Sequence, residues 1–134
     1  VSAVVLADTL FLLDLMRGRE RAIEMLERLE AAGEPVRVAS VTLFEFHRGL
    51  ETVDLPAAEK RRVAEAVEGR VVQALDAAAA ARAGGLDARL WAAGEPLDPE
   101  DAMIAGVALA RDEELVTRKA REFGRVPGLR LRTY

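Results

Sequence analysis

Short runs of β-branched and other apolar residues alternate along this chain with longer segments whose apolar residues recur at helical spacing. That alternation limits the fold more than any other feature. Strands are expected at 3–7, 36–39, 71–75, 115–116 and 129–131. Helices are expected between them: 9–16, 19–32, one capped by Ser40 or Thr42 and running to 51, one opened by Pro56 and running to 68, 77–93 behind Asp76, 98–110, and a short piece at 120–123. Gly18, Gly33 and Gly69 punctuate helix ends, and Val126-Pro127-Gly128 reads as a turn. Strands that alternate with helices pair in parallel through right-handed crossovers, which gives a sheet covered on both faces. In such sheets ligands bind beyond the carboxyl ends of the strands.

The 134 residues suit one domain spanning 1–134. Half of them are apolar but only 4% are aromatic, so the core must come from many small aliphatic contacts, which favours an α/β protein over a β-sandwich. The absence of cysteine excludes disulfides and thiolate metal sites, and the single His47 excludes a multi-histidine site. No run approaches the roughly 18 apolar residues of a membrane span, so a soluble, cytoplasmic protein with no membrane partner is expected. The net charge of −4 is unevenly spread. From Arg111 onward seven bases (Arg111, Arg118, Lys119, Arg121, Arg125, Arg130, Arg132) face four acids (Asp112, Glu113, Glu114, Glu122), so this end is net +3 and the rest net −7. A basic end on an acidic body can hold a polyanion, although a solvated Arg-rich surface is the simpler account of charge alone.

Three acids stand out by their surroundings. Asp8 is the first charged residue and closes an apolar run; its ordinary role is to cap the helix starting at Thr9. Glu45 lies among Val41, Leu43, Phe44 and Phe46, where an unpaired carboxylate is costly; it is either a polar-stripe residue paired with His47 or Arg48, or a metal ligand. Asp98 and Asp101 look like an N-cap and its third-position partner around Pro99, yet 102–108 is wholly apolar, so this acidic first turn ends a buried helix. Gathering Asp8, Glu45 and Asp101 within ~4 Å would cost about 4 kcal/mol per ionised pair at an effective dielectric of about 20. A divalent cation removes that cost. Oxygen-only ligation suits Mg²⁺ or Mn²⁺, and such a cation can activate water and polarise a phosphodiester.

Four segments resemble the PIN-domain ribonucleases of the VapC type, the toxins of toxin–antitoxin pairs. Residues 4–9 (VVLADT) resemble the family's first strand and first catalytic Asp; 40–46 (SVTLFEF), with Gly49, the segment of its catalytic Glu; 101–106 (DAMIAG) the helix start carrying the next Asp; and 116–118 (VTR), 122–123 (EF) and 126–129 (VPGL) its closing segment. The resemblance implies a three-layer α/β/α sandwich with a mostly parallel central sheet. It implies a Mg²⁺- or Mn²⁺-dependent endoribonuclease acting on RNA, a homodimer, and inhibition by a cognate antitoxin. Asp8, Glu45 and Asp101 carry over as catalytic, metal-binding acids, and Asp98, one turn earlier, joins them.

The chain departs from the family at Lys119, where an Asp or Asn is usual. A lysine cannot ligate a cation but can hold a phosphate, with Thr117 and Arg118 as further substrate-binding residues and Glu122 as a substitute fourth acid. The runner-up reading is a degenerate PIN-like domain without nuclease activity that binds protein or RNA. A third is a receiver-like switch with Asp8, Thr117 and Lys119 as phospho-acceptor, hydroxyl and lysine.

Overall fold

The computed structural model describes residues 4–134. Five strands, β1 (Val5–Ala7), β2 (Val36–Ala39), β3 (Val72–Gln73), β4 (Glu114–Thr117) and β5 (Leu131–Thr133), form one sheet in the order β3-β2-β1-β4-β5. Every neighbouring pair is parallel, with Ala7 opposite Val38 on one side and Val116 on the other. Among the described residues seven helices connect and cover the strands: α1 (Thr9–Met16), α2 (Glu20–Ala31), α3 (Ser40–Thr52), α4 (Ala57–Glu68), α5 (Ala77–Ala92), α6 (Pro99–Arg111) and α7 (Ala120–Phe123).

Side chains alternate across the sheet with a period of two. Leu6, Ala39 and Leu115 point to one face, against Leu86 and Leu90 of α5 and Ile104, Ala105 and Ala108 of α6. Val5, Ala7, Val38 and Val116 point to the other, against Phe11 and Leu12 of α1, Met25 and Leu29 of α2, Phe46 of α3 and Val67 of α4. This is the three-layer α/β/α sandwich. Strands buried on both faces read as continuous apolar runs, which is why β1 shows no alternation in sequence.

The order of strands locates the site. The chain runs from β1 outward to β2 and β3, then returns to the other side of β1 for β4 and β5. Between β1 and β4 the direction of winding reverses, and a crevice opens beyond the carboxyl ends of those two strands. Asp8 follows β1, and Thr117 ends β4.

Several local expectations are corrected. Neither Ser40 nor Thr42 caps α3: the N-cap is Ala39, and the Ser40 hydroxyl instead accepts the Leu75 N–H at 3.0 Å, tying α3 to the end of β3. The third strand is two residues long, not five, as the outermost strand on its side of the sheet. The last strand lies at Leu131–Thr133 and not at 129–131, because Leu129 N–H still bonds Val126 in the turn. Arg132, in the middle of β5, finds Glu114 and Glu34 at 2.8–3.3 Å, and Tyr134 packs edge-on against Phe11. Partners supplied by distant segments, invisible in the local pattern, set that strand. Ala3, expected to begin β1, lies outside the described residues.

Helices α5 and α6 approach closely at Gly106, where an added Cβ would lie 2.6 Å from Ala83 Cβ and 2.8 Å from the Ala79 carbonyl oxygen. Gly106→Ala should gain helix propensity but overpack this crossing, for a net loss of about 1–3 kcal/mol. Denaturant unfolding measures it; an unchanged midpoint would mean that the two helices separate freely.

Candidate active site

Asp8 closes β1 and caps α1: one carboxyl oxygen accepts the Phe11 N–H at 2.8 Å. Its other oxygen accepts the Thr117 hydroxyl at 2.6 Å, across the crevice from the end of β4. The capping role expected of Asp8 is therefore real, and it does not exhaust the residue. At 2% exposure the carboxyl is buried. Burial, only partly offset by the two hydrogen bonds and the nearby Lys119, pushes its pKa up to about 6.

Glu45 projects from the second turn of α3, and its carboxylate accepts the Thr9 hydroxyl at 2.6 Å. The Thr42 hydroxyl lies 3.2 Å from that of Thr9, so two threonines from α1 and α3 brace the acid. Neither residue weighed as its partner takes that place: Arg48 pairs with Glu100 at 3.6 Å and stacks on Phe44, while His47 packs against Phe46. Burial first, and then the charges of Asp101 and Glu100, raise the Glu45 carboxyl above its usual range.

Asp101 stands in the first turn of α6. Asp98 occupies the N-cap position but makes no capping bond through its side chain, so the two acids form no capping box. The Asp101 carboxylate instead accepts the Lys119 ammonium at 2.9 Å. Burial raises the Asp101 carboxyl in spite of that partner, with Asp98 and Glu100 adding to the rise. Burial alone would lower Lys119, but Asp101, Asp8 and Asp98 together hold its ammonium above the usual range. The Lys119 backbone N–H donates to Thr117 Oγ1 at 2.9 Å, which fixes the loop that carries it.

Asp8, Thr9, Glu45, Asp101 and Lys119 line one cleft of about 170 Å³, closed on its apolar side by Leu10 and Leu13. The larger depression between Pro96 and Arg125 is lined by one acid, Glu95, among the described residues. Asp98 is exposed at its rim, acting on Asp101 and Lys119 through charge. Glu122, half-buried in α7, does not line the cleft, and neither does Arg118, which turns away to pair with Asp14 at 2.8 Å. Sequence reasoning overlooked Thr9 and Thr42, which hold Glu45. It also overlooked Asp14, although a lone acid among the leucines of α1 carries the same signal that singled out Glu45.

The cleft thus gathers three carboxyl groups, each raised mainly by burial, with a single ammonium beside them. The model of the PIN domain matches residues 5–129. The chain belongs to the PIN domain family. A relative described as the tRNA(fMet)-specific endonuclease VapC of Shigella flexneri is 37% identical over 113 residues, covering 84% of this chain and 85% of that protein. Ribonuclease VapC19 of Mycobacterium tuberculosis is 31% identical over 125 residues, covering 92% and 95%. Among solved structures, the DNA-bound VapBC of Salmonella typhimurium superposes with a TM-score of 0.84 at 30% identity over 98% of each chain. VapBC2 of Rickettsia felis reaches a TM-score of 0.86 over the same share at 22% identity, a likeness of fold. The PIN domain here is of the VapC type, a nuclease lineage, and the receiver-like and degenerate-binder readings are not favoured.

Proposed function

We propose that this PIN domain is a divalent-metal-dependent endoribonuclease and the toxin of a VapBC-type pair. The observation that carries the reading is the meeting of Asp8, Glu45 and Asp101 in one cleft at the reversal point of the sheet, where their ionised forms repel one another. Among the described residues no three acids are drawn together as a finished metal cage, and Lys119 pairs with Asp101 in the cleft. The donor chemistry nevertheless fits a hard cation: carboxylates and hydroxyls only, from rigid strand and helix ends.

In this reading Asp8, Asp101 and Glu45 hold Mg²⁺ or Mn²⁺, with Asp98 adding charge from the rim. Such a cation supplies neutralisation of the phosphodiester and acidification of the attacking water. The chain's own residues do the rest. Thr117 orients the Asp8 carboxylate, Thr9 orients Glu45, and Lys119 offers an ammonium to a substrate phosphate when it leaves Asp101. Leu10 and Leu13 wall one side of the cleft and limit water.

The VapBC names of its structural relatives support an antitoxin as partner. A homodimer is the assembly we propose. No helix among the described residues is long and apolar enough to cross a membrane. A cytoplasmic site of action on RNA is the location we propose.

Incubation of antitoxin-free protein with a pool of single-stranded and structured RNAs tests the reading. Cleavage in Mg²⁺ or Mn²⁺ that stops in EDTA, and is absent in Asp101→Asn, is the expected result. Cleavage that persists in EDTA would refute the metal-dependent mechanism.

A further inference from the structure

A second charged cluster lies further along α1, around Asp14, and takes no part in the site described above. Asp14 is completely buried, yet it is surrounded by cations and a phenol. Its Oδ2 accepts Arg118 Nε at 2.8 Å and the Tyr134 hydroxyl at 2.6 Å, while Arg19 Nε faces Oδ1 at 3.1 Å. The Oδ1 atom has no hydrogen bond, so Arg19 is held there by charge and not by a directed bond. Burial alone would raise the Asp14 carboxyl, but Arg118, the Tyr134 hydroxyl and the charge of Arg19 hold it below its usual range.

Both arginines meet Asp14 through Nε. Arg118 also interacts with the Tyr134 hydroxyl, and the side chains remain 43% and 56% exposed for Arg118 and Arg19. These side chains, with Asp14, Glu20, Arg21 and Tyr134, line a depression of about 360 Å³. Three bases against two acids leave it net positive, in a chain whose overall charge is −4. A buried carboxylate that fixes two guanidinium groups by one edge, while their side chains stay partly exposed, is a preorganised receptor for a phosphate oxygen pair.

Its position connects it to the cleft. Arg118 and Lys119 are consecutive residues of one loop; the first reaches Asp14 and the second Asp101. Leu13 lines the cleft while Asp14 lines the depression, so α1 is their shared wall. Asp14 is six residues beyond Asp8, roughly 9 Å along a helix that rises ~1.5 Å per residue. That separation is short enough for one strand to reach from the cleft to the depression within a few nucleotides.

We infer that the Arg19–Arg118 pair, held by buried Asp14, is a phosphate subsite for an RNA strand leaving the cleft, gripping its backbone a few nucleotides from the scissile bond. The inference rests on the nuclease reading for its substrate. The test is binding of a labelled, mixed-sequence single-stranded RNA in EDTA, where cleavage plays no part, followed by fluorescence anisotropy over a range of salt. The variants are Arg19→Gln and Arg118→Gln, with Arg118→Lys as a charge-preserving control.

Each Gln variant should weaken binding several-fold and reduce the slope of log K against log salt by about 0.7, the value for one phosphate contact on a single strand. Arg118→Lys should lose affinity but keep most of the slope. Affinity and slope unchanged in folded Arg19→Gln would overturn the subsite. Should Arg118→Gln fail to fold, Arg19→Gln decides alone, since that side chain is mostly solvated. Unchanged RNA binding with weakened antitoxin binding would make the pair a protein interface and also overturn it. Wild-type cleavage with unaltered variant binding sinks the subsite and leaves the nuclease; lost variant binding without any wild-type cleavage does the reverse.

Discussion

Replacing Asp8 by Asn is expected to abolish RNA cleavage and, in metal-free buffer, to make the protein more stable. The two effects share one cause. Asp8 is 2% exposed and its pKa stands at about 6, against an unperturbed 3.8, because burial disfavours its charge. For an acid whose folded pKa is raised, the native state holds the proton more tightly than the unfolded chain. Its contribution is most favourable below the unfolded value, and stability is lost as pH rises through about 4 to 6. Above that window the ionised carboxylate costs up to about 3 kcal/mol at ~1.36 kcal/mol per pKa unit. Asn removes this cost. Its side-chain oxygen can still accept the Phe11 N–H, and its amide can donate to Thr117 Oγ1, so the cap and the bridge to β4 survive. The activity, by contrast, should fall by at least ~10³-fold, the scale set by losing a preorganised electrostatic group at a reacting phosphate. Thermal melts at pH 8 and pH 5 in EDTA provide the check. Asn should raise the melting temperature at pH 8 by an amount corresponding to about 1–3 kcal/mol, and the gain should shrink at pH 5. A variant that is inactive because it is unfolded would melt lower at both, and one that cleaves normally would remove Asp8 from the active site.

This conflict between stability and chemistry also explains what the sequence made legible. Buried strands show themselves as apolar runs, so β1, β2 and β4 were readable, and with them the crevice beyond their ends. Acids conspicuous against apolar neighbours, Asp8, Glu45 and Asp101, were readable for the same reason: burying a carboxylate is costly enough to mark the residue. What could not be read was each acid's partner. Thr9 lies 36 residues from Glu45 and Thr117 lies 109 from Asp8, and no local pattern encodes such pairings. Arg118 and Lys119 illustrate the limit most clearly. As neighbours in sequence they read, with Thr117, as one substrate-binding group, but consecutive side chains of the loop turn to different acids, Arg118 to Asp14 of α1 and Lys119 to Asp101 of α6. The shift of β5 by two residues has the same origin, since Arg132 is positioned by Glu34, 98 residues away.

Lys119→Ala is expected to tighten Mn²⁺ binding by at least tenfold, and Lys119→Asp to tighten it further. In the wild-type cleft the Lys119 ammonium sits 2.9 Å from Asp101 and also acts on Asp8 by charge, so it neutralises in part the carboxylates proposed to hold the cation. A divalent ion entering the cleft must displace that ammonium from Asp101 or endure it nearby. At ~4 Å and an effective dielectric of about 20, a unit charge acting on a doubly charged ion is worth about 8 kcal/mol before screening and rearrangement. Lysine is long and partly solvated, so it can swing away, and only a fraction of that figure should survive; a tenfold change corresponds to ~1.4 kcal/mol. Alanine removes the competitor and leaves Asp101 free. Aspartate also adds a ligand, so its titration should show either a second Mn²⁺ or a markedly tighter first one. Calorimetric titration with Mn²⁺ measures all three proteins without relying on turnover. The same alanine variant should bind RNA more weakly in EDTA, because the ammonium that competes with metal is the one offered to phosphate. Equal Mn²⁺ affinity in wild type and Lys119→Ala would mean that the lysine leaves Asp101 at no cost. Its contact with Asp101 would then be incidental to the metal site, and the departure of this chain from its family at that position would not affect metal binding.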